Sequence, residues 1–294
     1  MSRFQEKLQS GAFAVTTELT PPKGIELTEL TGRAEQLRPW VDAINLTDSP
    51  RARMAIEPKS VGRLLLERGV EPIVQMTPRD RNRIALQADL LGACLLGIEN
   101  FSFMGGDQPK NGDHPEAKGV FDLTTAELLA AARGLGAGHD MTGNALKGTP
   151  RLFIGATANP GATDLQAEIE NTARKVAAGA QFLQTQAIYA PEALERFVSA
   201  ARLELPVLAG VIPLKSAKMA GWLNANVPGI RVPEALLAEM QQAADAGREE
   251  QAGIAIAVRT LRALRGVCAG VHIMALGWEA HIPQMLSESG LRSA

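Results

Sequence analysis

Short apolar runs alternate with segments of helical periodicity along the whole chain. The apolar runs are rich in β-branched residues and end at proline or at polar residues, which is typical of buried parallel strands. Strands are predicted at 15–18, 41–46, 72–75, 98–103, 151–155, 181–186, 206–211 and 270–274. Helices are predicted at 27–37, 56–68, 81–94, 125–133, 164–178, 191–203, 216–225, 233–244, 249–265 and 279–287. Eight strand–helix alternations predict an α/β fold, a closed (βα)8 TIM barrel in a single domain over residues 1–294.

An open, doubly wound sheet is the alternative to the barrel. Its dinucleotide-binding form carries a GxGxxG turn between a strand and a helix. The glycine-rich stretch 134–138 follows a predicted helix and lacks that spacing, so we interpret it as a loop. The region at about 108–150 is long, polar and glycine-rich in two parts, and we expect an enlarged loop there, lying over the active face.

Composition narrows the classes of function. The chain has 294 residues, of which 46% are hydrophobic and 21% charged, as expected for one large globular domain. A net charge of −2 and 4% aromatic residues argue against nucleic-acid binding. Cys94 and Cys268 have no ligand spacing, and buried free thiols are the expectation. No signal peptide or membrane-spanning run is seen, so we expect a cytoplasmic protein.

Polar residues stand where seven of the eight strands end. They are Glu18; Asn45, Thr47 and Asp48; Gln75 and Thr77; Asp107; Thr157 and Asn159; Gln184 and Gln186; and His272. Each alone also has a purely structural explanation, as a helix cap, a turn former or a satisfied polar group. Together they predict a site at the carboxyl rim of the barrel, where such enzymes keep their chemistry. No serine–histidine–acid set and no metal-ligand spacing occurs, so we predict no metal.

Three positions at this rim have both a functional and a structural interpretation. Glu18, just before Pro21-Pro22, is either a catalytic carboxyl or a solvated strand-end charge. The stretch 105–107 is either a flat-ligand contact with an acceptor or an ordinary turn. Asn171, Arg174 and Lys175 share a helix face that either binds phosphate or is a solvated basic surface.

The chain resembles the methylenetetrahydrofolate reductase family over almost its whole length. The motifs that carry the resemblance are Glu18 with Pro21-Pro22, Gly106-Asp107-Gln108-Pro109, Ala178-Gly179-Ala180, Gln184-Thr185-Gln186, Gly210-Val211-Ile212-Pro213 and Gly270-Val271-His272. The resemblance is closest to short bacterial forms without a regulatory domain. It implies a flavin, FAD or else FMN, and reduction of 5,10-methylenetetrahydrofolate to 5-methyltetrahydrofolate in one-carbon metabolism and methionine biosynthesis.

The resemblance also implies roles for individual residues. Glu18 matches the general acid that opens the methylene bridge, so that hydride passes from reduced flavin N5 to the iminium carbon. Asp107 matches the aspartate near pterin and flavin, and Gln186, with Tyr189 and Ala217, matches substrate positions. The implied flavin positions are Asn45, Gln75, Gly105, Gly106, Asn159, Glu168, Asn171, Arg174 and Lys175. A carboxylic acid in an apolar strand-end pocket has a raised pKa, which suits the role given to Glu18.

Four positions depart from the family pattern. Gln75 replaces a histidine, Gly105 an arginine and Ala217 a phenylalanine, and Leu276-Gly277-Trp278 replaces a Leu-Asn-Arg stretch. They leave the electron donor open, whether NADH, NADPH, ferredoxin or a partner protein. A homo-oligomer or a subunit of a larger complex is expected. The alternatives are a pterin-binding methyltransferase barrel and a non-catalytic or electron-accepting subunit of a reductase complex.

Overall fold

In the computed structural model, which describes residues 1–293, parallel strands close into one barrel in sequence order. The strands are β1 (Ala14–Leu19), β2 (Ala43–Leu46), β3 (Pro72–Met76), β4 (Asn100–Phe103), β5 (Phe153–Ala158), β6 (Phe182–Ala187), β7 (Val207–Val211) and β8 (Gly270–Ile273). Each pairs in parallel with its neighbour, and β8 pairs with β1 through Thr16 and His272. The predicted closed barrel is therefore confirmed, and the open sheet is excluded.

The helices form a layer around the barrel. They are α1 (Arg3–Gln9), α2 (Thr28–Leu37), α3 (Pro58–Glu67), α4 (Arg83–Leu95), α5 (Thr125–Gly136), α6 (Leu165–Ala178), α7 (Pro191–Ala200), α8 (Ala217–Asn226), α9 (Glu234–Asp245), α10 (Glu249–Leu264) and α11 (Ile282–Ser289). Two expectations need correction. Helix α5 continues through Gly136 because Leu135 is buried against the core, so 134–136 is not a loop. Helix α1 has no counterpart among the predicted helices.

Helix α1 closes the amino-terminal end of the barrel. Its Phe4 side chain is fully buried, with its ring centroid 5.3 Å from that of Phe182 and 5.9 Å from that of Phe153. Ser2 caps this helix and donates a hydrogen bond to the buried Asn100 side chain (2.5 Å). The lower barrel interior is thus filled mainly by apolar side chains.

The barrel interior becomes polar above this layer. Alternate residues of a strand point to opposite faces, so the inward positions of β1 run Ala14, Thr16 and Glu18 from bottom to top. The outward positions pack against the helices in a separate apolar cluster that contains Val15 and Leu19. The side chains that point into the barrel therefore become more polar toward the carboxyl ends of the strands.

The region 108–150 divides into two parts on either side of α5. Residues 104–124 leave the carboxyl end of β4, and some of them reach the rim of the cavity described below. Residues 137–152 lead from the end of α5 to the start of β5, and Met141 there bonds to Gln87 on α4. This second part does not line the main cavity. None of the helices within residues 1–293 is long and apolar enough to cross a membrane.

Candidate functional site

A cavity of about 1260 Å³ opens at the carboxyl ends of the strands. Nine of the strand-end residues singled out in the sequence line it: Glu18, Thr47, Gln75, Asp107, Thr157, Asn159, Gln184, Gln186 and His272. Its volume exceeds the roughly 300–1,000 Å³ of a typical small-molecule pocket. The structure therefore brings the predicted rim residues together around one space that is large enough for two flat ligands.

A chain of buried polar groups runs below Glu18. The Glu18 Oε2 atom lies 3.6 Å from His272 Nε2, and the His272 Nδ1 atom lies 2.9 Å from Thr16 Oγ1. Gln184 Nε2 donates to Thr16 Oγ1 (3.4 Å) and to Asn45 Oδ1 (3.1 Å), and Asn45 Nδ2 donates back to Gln184 Oε1 (2.9 Å). Glu18 thus lies beside polar groups, and the apolar pocket expected for it is not what the structure shows.

The role expected of Asn45 as a direct flavin contact does not match its position. Its side chain is fully buried within the barrel and bonded to Gln184, and it does not line the cavity. Gln75, by contrast, does line the cavity. Gln75 is therefore one of the side-chain amides that a ligand can reach, whereas Asn45 lies in the buried network below the cavity.

The β4 loop brings Asp107 to the cavity through two glycines. Gly106 has φ +81°, and a Cβ there would lie 3.0 Å from Thr77 Cβ, whereas a Cβ at Gly105 would meet nothing within 4 Å. The exposed Asp107 carboxylate accepts a hydrogen bond from the Arg51 backbone N–H (2.9 Å). Gly106 thus permits the close packing of the loop, and Gly105 leaves a flat, open wall.

The β2 loop that supports Asp107 is strained. Ser49, Arg51 and Ala52 all have positive φ, between 46° and 56°. The β4 loop packs so closely on it that a Cβ at Gly112 would lie 1.8 Å from the Ala52 carbonyl oxygen. Non-glycine residues held in this conformation are uncommon and cluster at ligand sites.

Asp48 and Thr77 have a structural role behind the rim. The buried Asp48 carboxylate accepts from the Thr77 backbone N–H (2.9 Å) and hydroxyl (3.2 Å), and from Arg81. These bonds tie the end of β2 to the end of β3, and neither residue lines the cavity.

Helix α6 presents Lys175 to the cavity and turns Arg174 away from it. Lys175 is buried; its Nζ donates to the Thr157 carbonyl oxygen (2.7 Å) and lies 3.9 Å from Glu168. Burial lowers the pKa of Lys175, Glu168 opposes this, and Arg174 adds to it. Successive helical residues differ by about 100° in direction, so the exposed Arg174 does not reach the site.

Glu168 organises the same wall. Its carboxylate accepts from the Asn159 backbone N–H (2.9 Å) and from Asn171 Nδ2 (3.1 Å). The Asn159 Oδ1 atom is buried without a hydrogen-bond partner in the part of the chain described, 1–293. A ligand with an N–H or O–H group is one way to satisfy such an acceptor.

Two expected substrate positions lie outside the cavity. Tyr189 is buried in the apolar cluster that the ends of β6 and β7 form with α8, α9 and α10. It donates its hydroxyl to the Ile212 carbonyl (2.8 Å), and burial raises its pKa. Ala217 begins α8, and its N–H is bonded to Glu249. Trp278 likewise packs on the outer core, 5.0 Å from the His281 ring.

Sequence reasoning missed a set of charged residues at the cavity mouth. Lys23 pairs with Asp113 (2.8 Å), and the Arg51 guanidinium lies 6.0 Å from the Trp222 ring. The bonds that Asp113 accepts from Lys23, His114 and the Met54 N–H lower its pKa. Basic residues directly after strands one and two were the available clue. Within residues 1–293 no group of three or more His, Cys, Asp or Glu residues is arranged to hold a metal ion.

Comparison with known proteins places this geometry in context. The family model described as methylenetetrahydrofolate reductase matches residues 3–290. The structure is similar to that of an uncharacterized protein from Clostridium thermocellum that binds two copies of 5-methyl-5,6,7,8-tetrahydrofolic acid. The TM-score is 0.62 at 16% identity, covering 98% of this chain and 100% of that one. It is also similar to EDTA monooxygenase from Chelativorans sp. BNC1, with a TM-score of 0.58 at 13% identity, covering 95% and 94%. At these identities the two structures support the barrel fold alone.

Proposed function

Because the chain belongs to the methylenetetrahydrofolate reductase family, whose members are oxidoreductases of folate metabolism, we propose that it reduces 5,10-methylenetetrahydrofolate to 5-methyltetrahydrofolate with a bound flavin. The observation that carries this proposal is the position of Glu18. Its carboxyl group stands at the end of β1, lines the large cavity and is about one-fifth exposed, at 18%. A carboxyl group is thereby available where a ligand can reach it.

The cavity fits a flavin. The open wall at Gly105 admits a flat ring, and the side chains of Gln75, Asn159 and Lys175 supply hydrogen-bonding groups along one side. Lys175 is the cation of this wall, with Glu168 and Asn171 beside it. These residues would hold the cofactor, FAD or FMN, and Arg174 would remain in solvent. The flavin supplies hydride chemistry when bound, and the protein supplies orientation and electrostatics.

The proton step falls to the chain's own residues. Opening the methylene bridge of the folate requires a proton on the bridge nitrogen that leaves, and Glu18 supplies it as general acid. Asp107 and Gln186 line the cavity, and we assign them the role of orienting the pterin. The Arg51 backbone N–H holds the Asp107 carboxylate in place for this role. The Clostridium thermocellum neighbour binds 5-methyltetrahydrofolate, which is the product of this reaction.

We propose a partner electron carrier as the physiological donor. Ala217 and Trp278 lie outside the cavity, so neither offers a nicotinamide ring a stacking face there. An aromatic contact of this kind contributes about 0.5–1.5 kcal/mol. Anaerobic reduction of the flavin by NADH, NADPH and reduced ferredoxin in parallel tests this, and micromolar KM values for either nicotinamide would remove the need for a partner.

The experiment that tests the function uses Glu18→Gln. Chemically reduced flavoprotein is mixed with 5,10-methylenetetrahydrofolate, and flavin reoxidation is followed in a single turnover. The folate step should slow by roughly 10² or more, the usual scale for a general acid, while flavin content and folate affinity stay near wild type. Glu195→Gln, an exposed change on α7, is the matched control. Wild-type folate turnover in Glu18→Gln would refute the assignment.

A second candidate function is folate binding without a flavin, as in a methyltransferase barrel. It is favoured by the departures at Gln75 and Gly105 and by the exposure of Arg174. The absorbance spectrum of the purified protein separates the two candidates. A flavin spectrum at near-stoichiometric amounts supports the reductase. Two equivalents of bound folate with no flavin affinity would support the second candidate.

A further inference from the structure

His272 is the one titratable side chain below Glu18 that the proposed reaction leaves without a role. Its side chain is 4% exposed, and Glu18 is the only acidic group within 4.0 Å of its ring nitrogens in residues 1–293. Its other neighbours in the network, Thr16, Gln184 and Asn45, are uncharged and buried. A histidine in this setting has one charged partner, on the side that faces the cavity.

The hydrogen bonds of Thr16 are compatible with a tautomer of His272 that carries its proton on Nδ1. The Thr16 hydroxyl has one proton to donate and two lone pairs with which to accept. It reaches the Val271 carbonyl oxygen at 3.3 Å and receives a bond from Gln184 Nε2 at 3.4 Å. If the hydroxyl donates to Val271, its second lone pair accepts from His272 Nδ1–H at 2.9 Å, and every group in the network is satisfied.

This arrangement leaves His272 Nε2 as the variable position. With Nδ1 permanently protonated, Nε2 is a bare acceptor in the neutral ring and a donor in the imidazolium. The Glu18 Oε2 atom lies 3.6 Å away, one small side-chain rotation from a hydrogen bond. In that contact a proton can pass directly between the carboxyl group and Nε2.

We propose that His272 is a positioning residue that stores the proton Glu18 donates, with Thr16 fixing the tautomer that makes this possible. The inference rests on the proposed role of Glu18 as general acid. The pair holds one shared proton, either as Glu18 carboxyl with neutral His272 or as carboxylate with imidazolium, and both forms are neutral overall.

The proton balance of a turnover follows from this pair. Glu18 gives its proton to the folate nitrogen as the bridge C–N bond breaks, which leaves a carboxylate facing the bare Nε2 of His272. One proton from water then enters through the cavity and restores the pair. One proton is thus consumed for each hydride transferred, as the overall reduction requires.

The first test reads the tautomer directly and needs no activity. The full chain labelled with ¹⁵N-histidine gives ring signals from four histidines, and His272→Gln identifies those of His272. We expect Nδ1 to be protonated throughout the neutral range, with Nε2 in proton exchange. Thr16→Val should scramble the tautomer, and Thr16→Ser, which keeps the hydroxyl, should preserve it. A bare Nδ1 with a fixed Nε2–H in the wild-type protein would overturn the proposal.

The second test measures proton supply. His272→Gln keeps an amide within reach of Glu18 but cannot exchange a proton, so the single-turnover folate step should slow by about 10²-fold, the lower end of general acid–base effects. Folate affinity should stay within about twofold, and added imidazole should restore the rate of His272→Ala. If His272→Ala does not fold, His272→Gln still tests the proposal.

Failure of the proposed function and failure of the storage role of His272 give different results. Normal folate turnover in Glu18→Gln would refute the proposed function itself. Loss of turnover in Glu18→Gln, together with a wild-type rate in His272→Gln, would refute only the storage role.

Discussion

Alanine at Gly106 should destabilise the protein far more than alanine at the adjacent Gly105. Gly106 adopts φ +81°, where a side chain costs roughly 1–2 kcal/mol. The added methyl carbon would also lie 3.0 Å from Thr77 Cβ and 3.2 Å from Arg79 Cβ. Both are β-carbons, whose positions are fixed by the backbone and do not change with side-chain rotation, and such overpacking costs about 1–3 kcal/mol.

The two contributions together predict a loss of about 2–5 kcal/mol in the free energy of unfolding. For a chain of this length that corresponds to a fall of about 2 °C in Tm for each kcal/mol. Gly105→Ala is the matched control, because its methyl group would enter open space in an ordinary backbone conformation. Its unfolding free energy should change by less than about 0.5 kcal/mol, as for an unconstrained surface site.

Urea and thermal unfolding of the flavin-free proteins, followed by circular dichroism under identical conditions, measure both variants. Gly106→Ala should also weaken folate binding, because the displaced loop carries Asp107. Equal midpoints for the two variants would refute the packing argument. A normal midpoint for Gly106→Ala with lost folate binding would show that the loop adapts and that only the position of Asp107 is sensitive.

Three further predictions concern the core. Phe4→Ala, which leaves a cavity in the apolar layer under the barrel, should lower the free energy of unfolding in urea by about 3–5 kcal/mol. The control Gln9→Ala, at an exposed position of the same helix, should not change it measurably. Equal unfolding midpoints for the two variants would contradict the closing role of α1. Tyr189→Phe should lose about 1–3 kcal/mol of stability, because the buried Ile212 carbonyl loses its donor, with folate affinity by calorimetry unchanged; weakened binding would return Tyr189 to the substrate site. Burial, with a smaller effect of Glu99, raises the pKa of Cys94 to about 12, so this thiol should resist disulfide reagents at mildly alkaline pH until the protein unfolds. The folded state binds the Cys94 thiol proton more tightly than the unfolded state does. The protonated thiol therefore contributes its full stabilisation below the unfolded pKa of about 8.5, and this stabilisation is lost as the pH rises toward 12. Rapid labelling of Cys94 in the native protein would contradict the raised pKa.

The barrel could be predicted from sequence because its strands are short, apolar and rich in β-branched residues. The site followed from topology, since the carboxyl ends of parallel strands share one rim and Glu18, Gln75 and Gln186 end up around one cavity. Helix α1 was missed because seven residues give too little periodicity, and its only apolar side chains are Phe4 and Leu8.

Side-chain direction was the part that sequence could not supply. Arg174 and Lys175 are adjacent, and only the rotation of α6 against the barrel decides which of them faces the site. Tyr189 was misplaced because the pairing of β6 with β7 shifts register between Gln184 and Ala187, which redirects the chain after β6 into the core. Both outcomes depend on how neighbouring elements pack on one another, which the local sequence pattern does not specify.

The apolar seal that Phe4 forms under the barrel constrains the order of ligand exchange. With that end closed, the polar interior communicates with solvent at the rim, where the 1260 Å³ cavity opens. If the proposed flavin binds on the inner side of this cavity, a folate stacked on it would cover it, because the two would share one opening. Under the proposed function, the folate product would have to depart before an electron donor could approach the flavin, and the two half-reactions would alternate at one face. High folate concentrations would then slow the donor's half-reaction by occupying the shared opening.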